Sequence, residues 1–220
     1  MLLNVRETDD KKVYVSSDFH LGHKGPESNP VWKQRGFADV PSHDDAVIDS
    51  VNAMVRPNDI LIFLGDFCLN TTLAQFDVYL DRIKCQNVMA LWGNHPNPHY
   101  KGVYLPMVKK LLGENYTPES EVYPLKYKNM TYYGTDMEMI INGQYVVLSH
   151  FPVYVWHECQ HGAWMLCGHS HYGCELSKAT GEHGKILDVG WDSIRKPWSM
   201  DEIRKVMEVK RLPYVDHHQK

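Results

Sequence analysis

The amino-acid sequence predicts a layered α/β sandwich, with a mixed β-sheet core flanked by helices. Two observations predict it. Short apolar, β-branched runs bounded by turn residues recur along the chain, and helical periodicities alternate with them in the first half. From Met130 to Val189 the apolar runs follow one another with little helix between them, which calls for mixed rather than purely parallel strands. With 220 residues, 43% of them hydrophobic, the chain can bury one sizeable core, so a single domain over residues 1–220 is expected.

Strands are expected at Val13 to Val15, Ile60 to Leu64, Val88 to Leu91, Tyr145 to Leu148, Met165 to Cys167 and Ile186 to Val189. Ser42 reads as the cap of a helix reaching Val55, with Asp44 and Asp45 in its first turn and an apolar stripe of Val47, Ile48, Val51, Met54 and Val55. Pro57 ends it. Thr72 opens a second helix whose Leu73, Phe76, Leu80 and Ile83 share one face, and Ser199 with Glu202 forms a capping box for a short final helix. The stretch 96–129 scatters Pro96, Pro98, Pro106, Pro118 and Pro124 among tyrosines and reads as an irregular cap or insertion. Residues 213–220 form a polar tail.

Composition narrows the function. With 23 Lys and Arg against 27 Asp and Glu, the net charge of −4 excludes a protein that coats polyanions by bulk charge. Arg6, Glu7, Asp9 and Asp10 stand where a signal peptide needs an apolar stretch, and no run approaches the roughly 20 apolar residues of a membrane span. A cytoplasmic protein without membrane contact is expected. The five cysteines include no C-x-x-C pair and read as reduced thiols.

The 13 histidines matter by placement. Asp18-Phe19-His20, Gly65-Asp66, Gly93-Asn94-His95, Ser149-His150 and Gly168-His169-Ser170-His171 each follow an expected strand. Carboxyl ends of strands in an open α/β sheet converge on one crevice, so these residues are expected to meet. Each motif alone is weak. Together, and in this order, they resemble the signature of the calcineurin-like metallophosphoesterase family, and the segments Ser16 to His23 and Asp188 to Asp192 are most similar to its small bacterial and phage-encoded members.

The resemblance implies two divalent transition-metal ions, manganese first, with iron, nickel, cobalt or zinc as alternatives. Asp18, His20 and His171 would hold one, Asn94, His150 and His169 the other, and Asp66 would bridge them. It implies a phosphomonoesterase or phosphodiesterase in which a hydroxide shared by the ions attacks phosphorus in line, with His95 as the catalytic residue that protonates the leaving oxygen. Pro96 departs from the family, which usually has Asp or Glu there. The partner is then a phosphoester, nucleotides included. A metal-dependent nuclease is the alternative, although no segment beyond this domain is available to hold DNA and no stable nucleic-acid binding is expected. A non-catalytic scaffold of the same fold is disfavoured because all seven ligands are present.

His157-Glu158-Cys159-Gln160-His161 spells H-E-x-x-H, which on a helix would place two zinc ligands and a general base on one face. Pro152 upstream and Gly162 downstream leave room for few helical turns, so a polar loop at the mouth of the site is preferred. His23 either lines the pocket or is a solvated turn residue. Arg35 reads as surface charge, with phosphate binding the alternative, and His43 and His99 read as surface residues.

Overall fold

The computed structural model describes residues 2–25, 29–94, 100–113 and 123–212. Its core is built on two mixed sheets. The first has six strands: β2 (Val13–Ser16), β3 (Ile60–Phe63), β4 (Val88–Ala90) and β6 (Met130–Tyr132) run parallel side by side, while β5 (Leu125–Tyr127) and β11 (Trp198–Ser199) close the edges antiparallel. The second has five, in the order β1 (Leu3–Val5), β7 (Asp136–Ile141), β8 (Gln144–Ser149), β9 (Trp164–Cys167) and β10 (Ile186–Asp188). All its pairings are parallel except the β7–β8 hairpin.

Strand alternation explains the layering. In β3 every residue is buried; Ile60 and Ile62 join a cluster with Met139, Val146, Leu148 and Leu187 of the second sheet, whereas Leu61 and Phe63 face the helices. The two sheets therefore bury their facing surfaces against each other, and each fully buried Leu or Ile contributes about 1.5–3 kcal/mol. The outer face of the first sheet is covered by α2 (Val40–Met54), α3 (Leu73–Arg82) and α4 (Leu105–Leu112) through Val47, Val51, Phe76, Leu80, Met107 and Val108. The short helices α1 (Val31–Gln34) and α5 (Trp191–Ile194) stand near the strand ends, and α6 (Met200–Val209) inserts Ile203 and Met207 into the intersheet cluster.

Three sequence expectations are corrected. Helix α2 begins earlier than the reading from Ser42: Asp39 is its cap and accepts the Ser42 N–H at 2.8 Å, with Pro41 preset in the first turn. Asp44 and Asp45 thus lie beyond the first turn, and Asp44 is buried. The stretch 96–129 is not irregular where it is described: a π-helical turn at Tyr100–Tyr104 leads into α4, and β5 follows. Residues 95–99, 114–122 and the tail 213–220 lie outside the described residues. The capping boxes at Thr72 and Ser199 form as expected, and Tyr132 is buried against Trp92 with ring centroids 3.7 Å apart. No helix among the described residues is long and apolar enough to cross a membrane.

Candidate metal centre

The carboxyl ends of β2, β3 and β4 in one sheet and of β8, β9 and β10 in the other meet at one end of the sandwich. Backbone bonds hold the loops together there. Asp18 N–H donates to the Gly65 carbonyl at 3.0 Å, His20 N–H to the Asp66 carbonyl at 2.9 Å, and Gly168 N–H to the His150 carbonyl at 3.0 Å. A bridge between Ser17 and Gly190, with Trp191 N–H on the Ser17 carbonyl at 3.0 Å, joins the two sheets.

Two sets of donor atoms result. Asp18, His20 and His171 each offer a ligand atom within 4.8 Å of the others, and so do Asp18, Asp66 and His150. His20 Nε2 stands 3.9 Å from Asp66 Oδ2 and His150 Nε2 stands 3.4 Å from the same oxygen, so Asp66 lies between these two imidazoles. Asn94 Oδ1 is 2.9 Å from His150 Nε2. The His169 ring packs against His150 at 5.2 Å, and its backbone N–H donates to Asp18 Oδ2 at 2.9 Å. All seven residues expected to ligate are therefore in one cluster, with Asp18 closer to Asp66 and His150 than the two-set division implied. His95 lies outside the described residues. His23 borders the cluster, its ring 5.9 Å from that of His20.

The local backbone is forced into this shape. Asp18, His20, Asp66, His169 and His171 all have φ between +48° and +66°, a left-handed conformation that costs about 1–3 kcal/mol per residue bearing a Cβ. Gly93 and Gly168 let the carboxylates in: a Cβ on Gly93 would stand 1.8 Å from Asp66 Oδ1, and one on Gly168 would stand 2.4 Å from Asp18 Oδ2.

The residues fit a cation. Among the described residues Asp18 Oδ1, wholly buried, accepts no hydrogen bond, and a buried carboxylate oxygen of that kind suits a metal ion. His150 Nδ1 lies 2.9 Å from the Leu64 carbonyl, which only accepts, while its Nε2 faces Asn94 Oδ1 and Asp66. Nδ1 therefore donates to that carbonyl, which leaves Nε2, on the Asn94 and Asp66 side, as the nitrogen able to hold an ion. Burial would lower the pKa of His150, but Asp66 and Asp18 outweigh it and raise it. At His171 burial is likewise outweighed, by Asp192 and Asp18, and the pKa rises. Burial pushes His20 and His169 down, towards the neutral form that ligates. For Asp18 burial acts upward, yet the imidazoles of His20, His150 and His171 prevail and hold the carboxyl below its usual range.

Several polar residues around the cluster were not assigned from the sequence. Asp192 Oδ2 lies 2.8 Å from His171 Nδ1, and Arg35 and His43, read as surface residues, are both buried beside it. Their contacts join residues 157 positions apart, which no local spacing announces. The H-E-x-x-H segment does not form the helix a zinc site needs. Glu158 is left-handed, a single 3-10 turn covers Cys159–His161, and His157 Nδ1 is held at 3.2 Å by Glu138. Beside His150, Phe151 is half-exposed with its ring 4.6 Å from that of His169, and Val153, Tyr154 and Val155 continue an exposed apolar rim.

No protein-family model and no curated protein sequence matches the chain. Among solved structures it is similar to the crystal structure of the protein of unknown function AQ665 from Aquifex aeolicus. The TM-score is 0.59, with 16% identity, over 89% of this chain and 99% of that one. At that identity the likeness is one of fold, and it supports the layered α/β sandwich.

Proposed function

We propose that this protein is a dinuclear-metal-dependent phosphoester hydrolase. The observation that carries the reading is the convergence of two donor sets, Asp18, His20 and His171 with Asp18, Asp66 and His150, from the strand ends of two different sheets. Imidazole and carboxylate together suit manganese, iron, cobalt, nickel or zinc, and no cysteine lies among the ligands. Asp18, His20 and His171 would hold one ion, Asn94, His150 and His169 the other, with Asp66 serving both.

Bound there, two dications would polarise water towards hydroxide near neutral pH and draw charge from phosphoryl oxygens. The chain's own residues prepare for that charge. Two carboxylates, Asp18 and Asp66, set against two dications leave the centre net positive, so an anionic phosphoryl group is attracted. His150 and His171 can ligate only as neutral imidazoles, so the carboxylates that raise their pKa make protons compete with loading as pH falls. The half-exposed Phe151 ring borders the centre and offers an apolar surface for the alcohol or aryl part of the ester. His95 remains the residue to which the family resemblance assigns the leaving-group proton.

Asp66→Ala tests the reading. Metal content and hydrolysis of a panel of phosphomonoesters and phosphodiesters are measured side by side with manganese supplied. The variant is expected to lose both bound metal and turnover. Near-wild-type turnover with full metal content would contradict the two-metal assignment.

A further inference from the structure

Arg35 uses all five of its N–H groups inside the protein. Nε and Nη2 fork onto Asp192 at 2.8 and 2.5 Å; Nη2 also donates to the Asp18 carbonyl at 2.6 Å. Nη1 donates to the Phe19 carbonyl at 3.0 Å and meets His43 Nε2 at 2.8 Å. Arginine only donates, so His43 Nε2 accepts. Its Nδ1 then donates to Asp44 Oδ1 at 2.9 Å. Asp44 in turn accepts the Gly22 N–H at 3.0 Å and the Tyr79 hydroxyl at 2.8 Å. At the other end Asp192 Oδ2 accepts from His171 Nδ1, which leaves the Nε2 lone pair for an ion.

A buried arginine beside a phosphate-handling centre can bind the phosphoryl group or hold the ligands. No donor of Arg35 is left for a phosphate, and its side chain is only 2% exposed, so the first role is closed. Stability alone is a poor reason for the pair, because a buried ion pair gains little over apolar residues of similar volume. The two carbonyls it binds belong to the left-handed turn that carries Asp18 and His20. The carboxylate it grips orients His171. All three ligands of one donor set thus depend on one guanidinium. Of the residues assigned to the other ion, His150 leans on the Leu64 carbonyl and the His169 ring packs on Phe151, contacts that do not involve Arg35.

We propose that Arg35 and Asp192 are positioning residues for the Asp18–His20–His171 half of the metal centre, and that their loss weakens one ion of the two. The proposal rests on the reading of the cluster as a metal centre, and its test separates the two claims. Wild type, Asp192→Asn and Arg35→Lys are stripped with chelator and titrated with Mn²⁺ by calorimetry. Bound metal is counted, and melting temperatures are recorded with and without manganese. Wild type is expected to bind two ions. Each variant should keep one and bind the other roughly 10- to 100-fold more weakly, with a smaller manganese-induced rise in melting temperature. Metal-free Asp192→Asn should melt below wild type, since the buried Arg35 loses its counter-charge, so the manganese-induced rise rather than the absolute melting temperature is the readout. Lysine keeps the charge of Arg35 but not its fork, so its failure to rescue would locate the effect in geometry. Should Arg35→Lys not fold, Asp192→Asn decides alone. Two ions held by the variants as tightly as by wild type would overturn the proposal and leave the metal centre standing. Equal falls in melting temperature with and without manganese at unchanged metal affinity would mark a merely structural role and also overturn it. A wild type that binds no manganese would overturn the reading beneath it, and the proposal with it.

Discussion

Asp66 and Asp18 owe their positions to two residues that have no side chain. Gly93 and Gly168 lie where any Cβ would strike a carboxylate, at 1.8 Å from Asp66 Oδ1 in the first case and 2.4 Å from Asp18 Oδ2 in the second. Because the Gly93 contact is with a buried carboxylate held between two imidazoles, Asp66 cannot swing aside without leaving His20 and His150. Gly93→Ala is therefore expected to lower bound metal and to reduce phosphoester turnover by at least the 10- to 100-fold seen when a ligand's surroundings are disturbed. Metal content and rate at unchanged circular dichroism check this; a fully active, fully loaded variant would contradict it. The clustered Asp, Asn and His residues were legible in the sequence, since each follows an apolar strand run and strand ends converge. Arg35, His43 and Asp192 were not, because a lone arginine is ordinarily surface charge and its partners are fixed only by the fold.

At the scale of elements, hydrogen-bonding residues decide what the chain does locally. Asp39 rather than Ser42 caps α2, because Pro41 presets the first turn and Asp39 can accept the Ser42 N–H while receiving its hydroxyl in return. Proline density in 96–129 concealed α4, yet Pro106 sits in that helix's first turn, where its missing N–H costs nothing. The H-E-x-x-H spelling misleads in the opposite way, since the segment folds as a 3-10 turn. Glu158→Gln is accordingly expected to keep phosphoester hydrolysis within roughly tenfold, the low end of an indirect effect on a metal site, and neither protein should cleave an unfolded polypeptide. Metal-dependent proteolysis lost with Glu158 would contradict this.

The end of α6 gives a prediction for pH. Lys210 Nζ donates to the carbonyls of Lys178 and Gly181 at 2.7 and 3.0 Å, and burial lowers its pKa to about 8. Between that value and the ordinary 10.5 the unfolded chain binds more protons than the folded one, so this residue makes stability rise with pH across that window. Replacing it by methionine removes the titration. The difference in unfolding free energy between wild type and Lys210→Met is expected to shift in favour of wild type as pH rises from about 8 towards 10.5; a difference independent of pH would contradict the assignment.

For the molecule as a whole, the fold class was legible because its carriers are local: strand runs, caps and turns. Strand order was not. That Met130–Tyr132 joins the first sheet while Asp136–Ile141 crosses into the second follows from which faces bury against each other, as the partition of Ile62 and Phe63 between two clusters shows. The consequence is the site itself, since a single sheet would bring only part of the Asp and His cluster to one crevice, and the sandwich brings both parts. The central claim is that this crevice binds two ions and that hydrolysis depends on them. The most direct measurement is turnover of a chromogenic phosphodiester by chelator-stripped protein as Mn²⁺ is added back, with bound manganese counted at each step. We predict no turnover without metal and full turnover once two ions per chain are bound. Equal turnover in the stripped protein, or two bound ions with no hydrolysis of the phosphodiester or of a matched phosphomonoester, would contradict it.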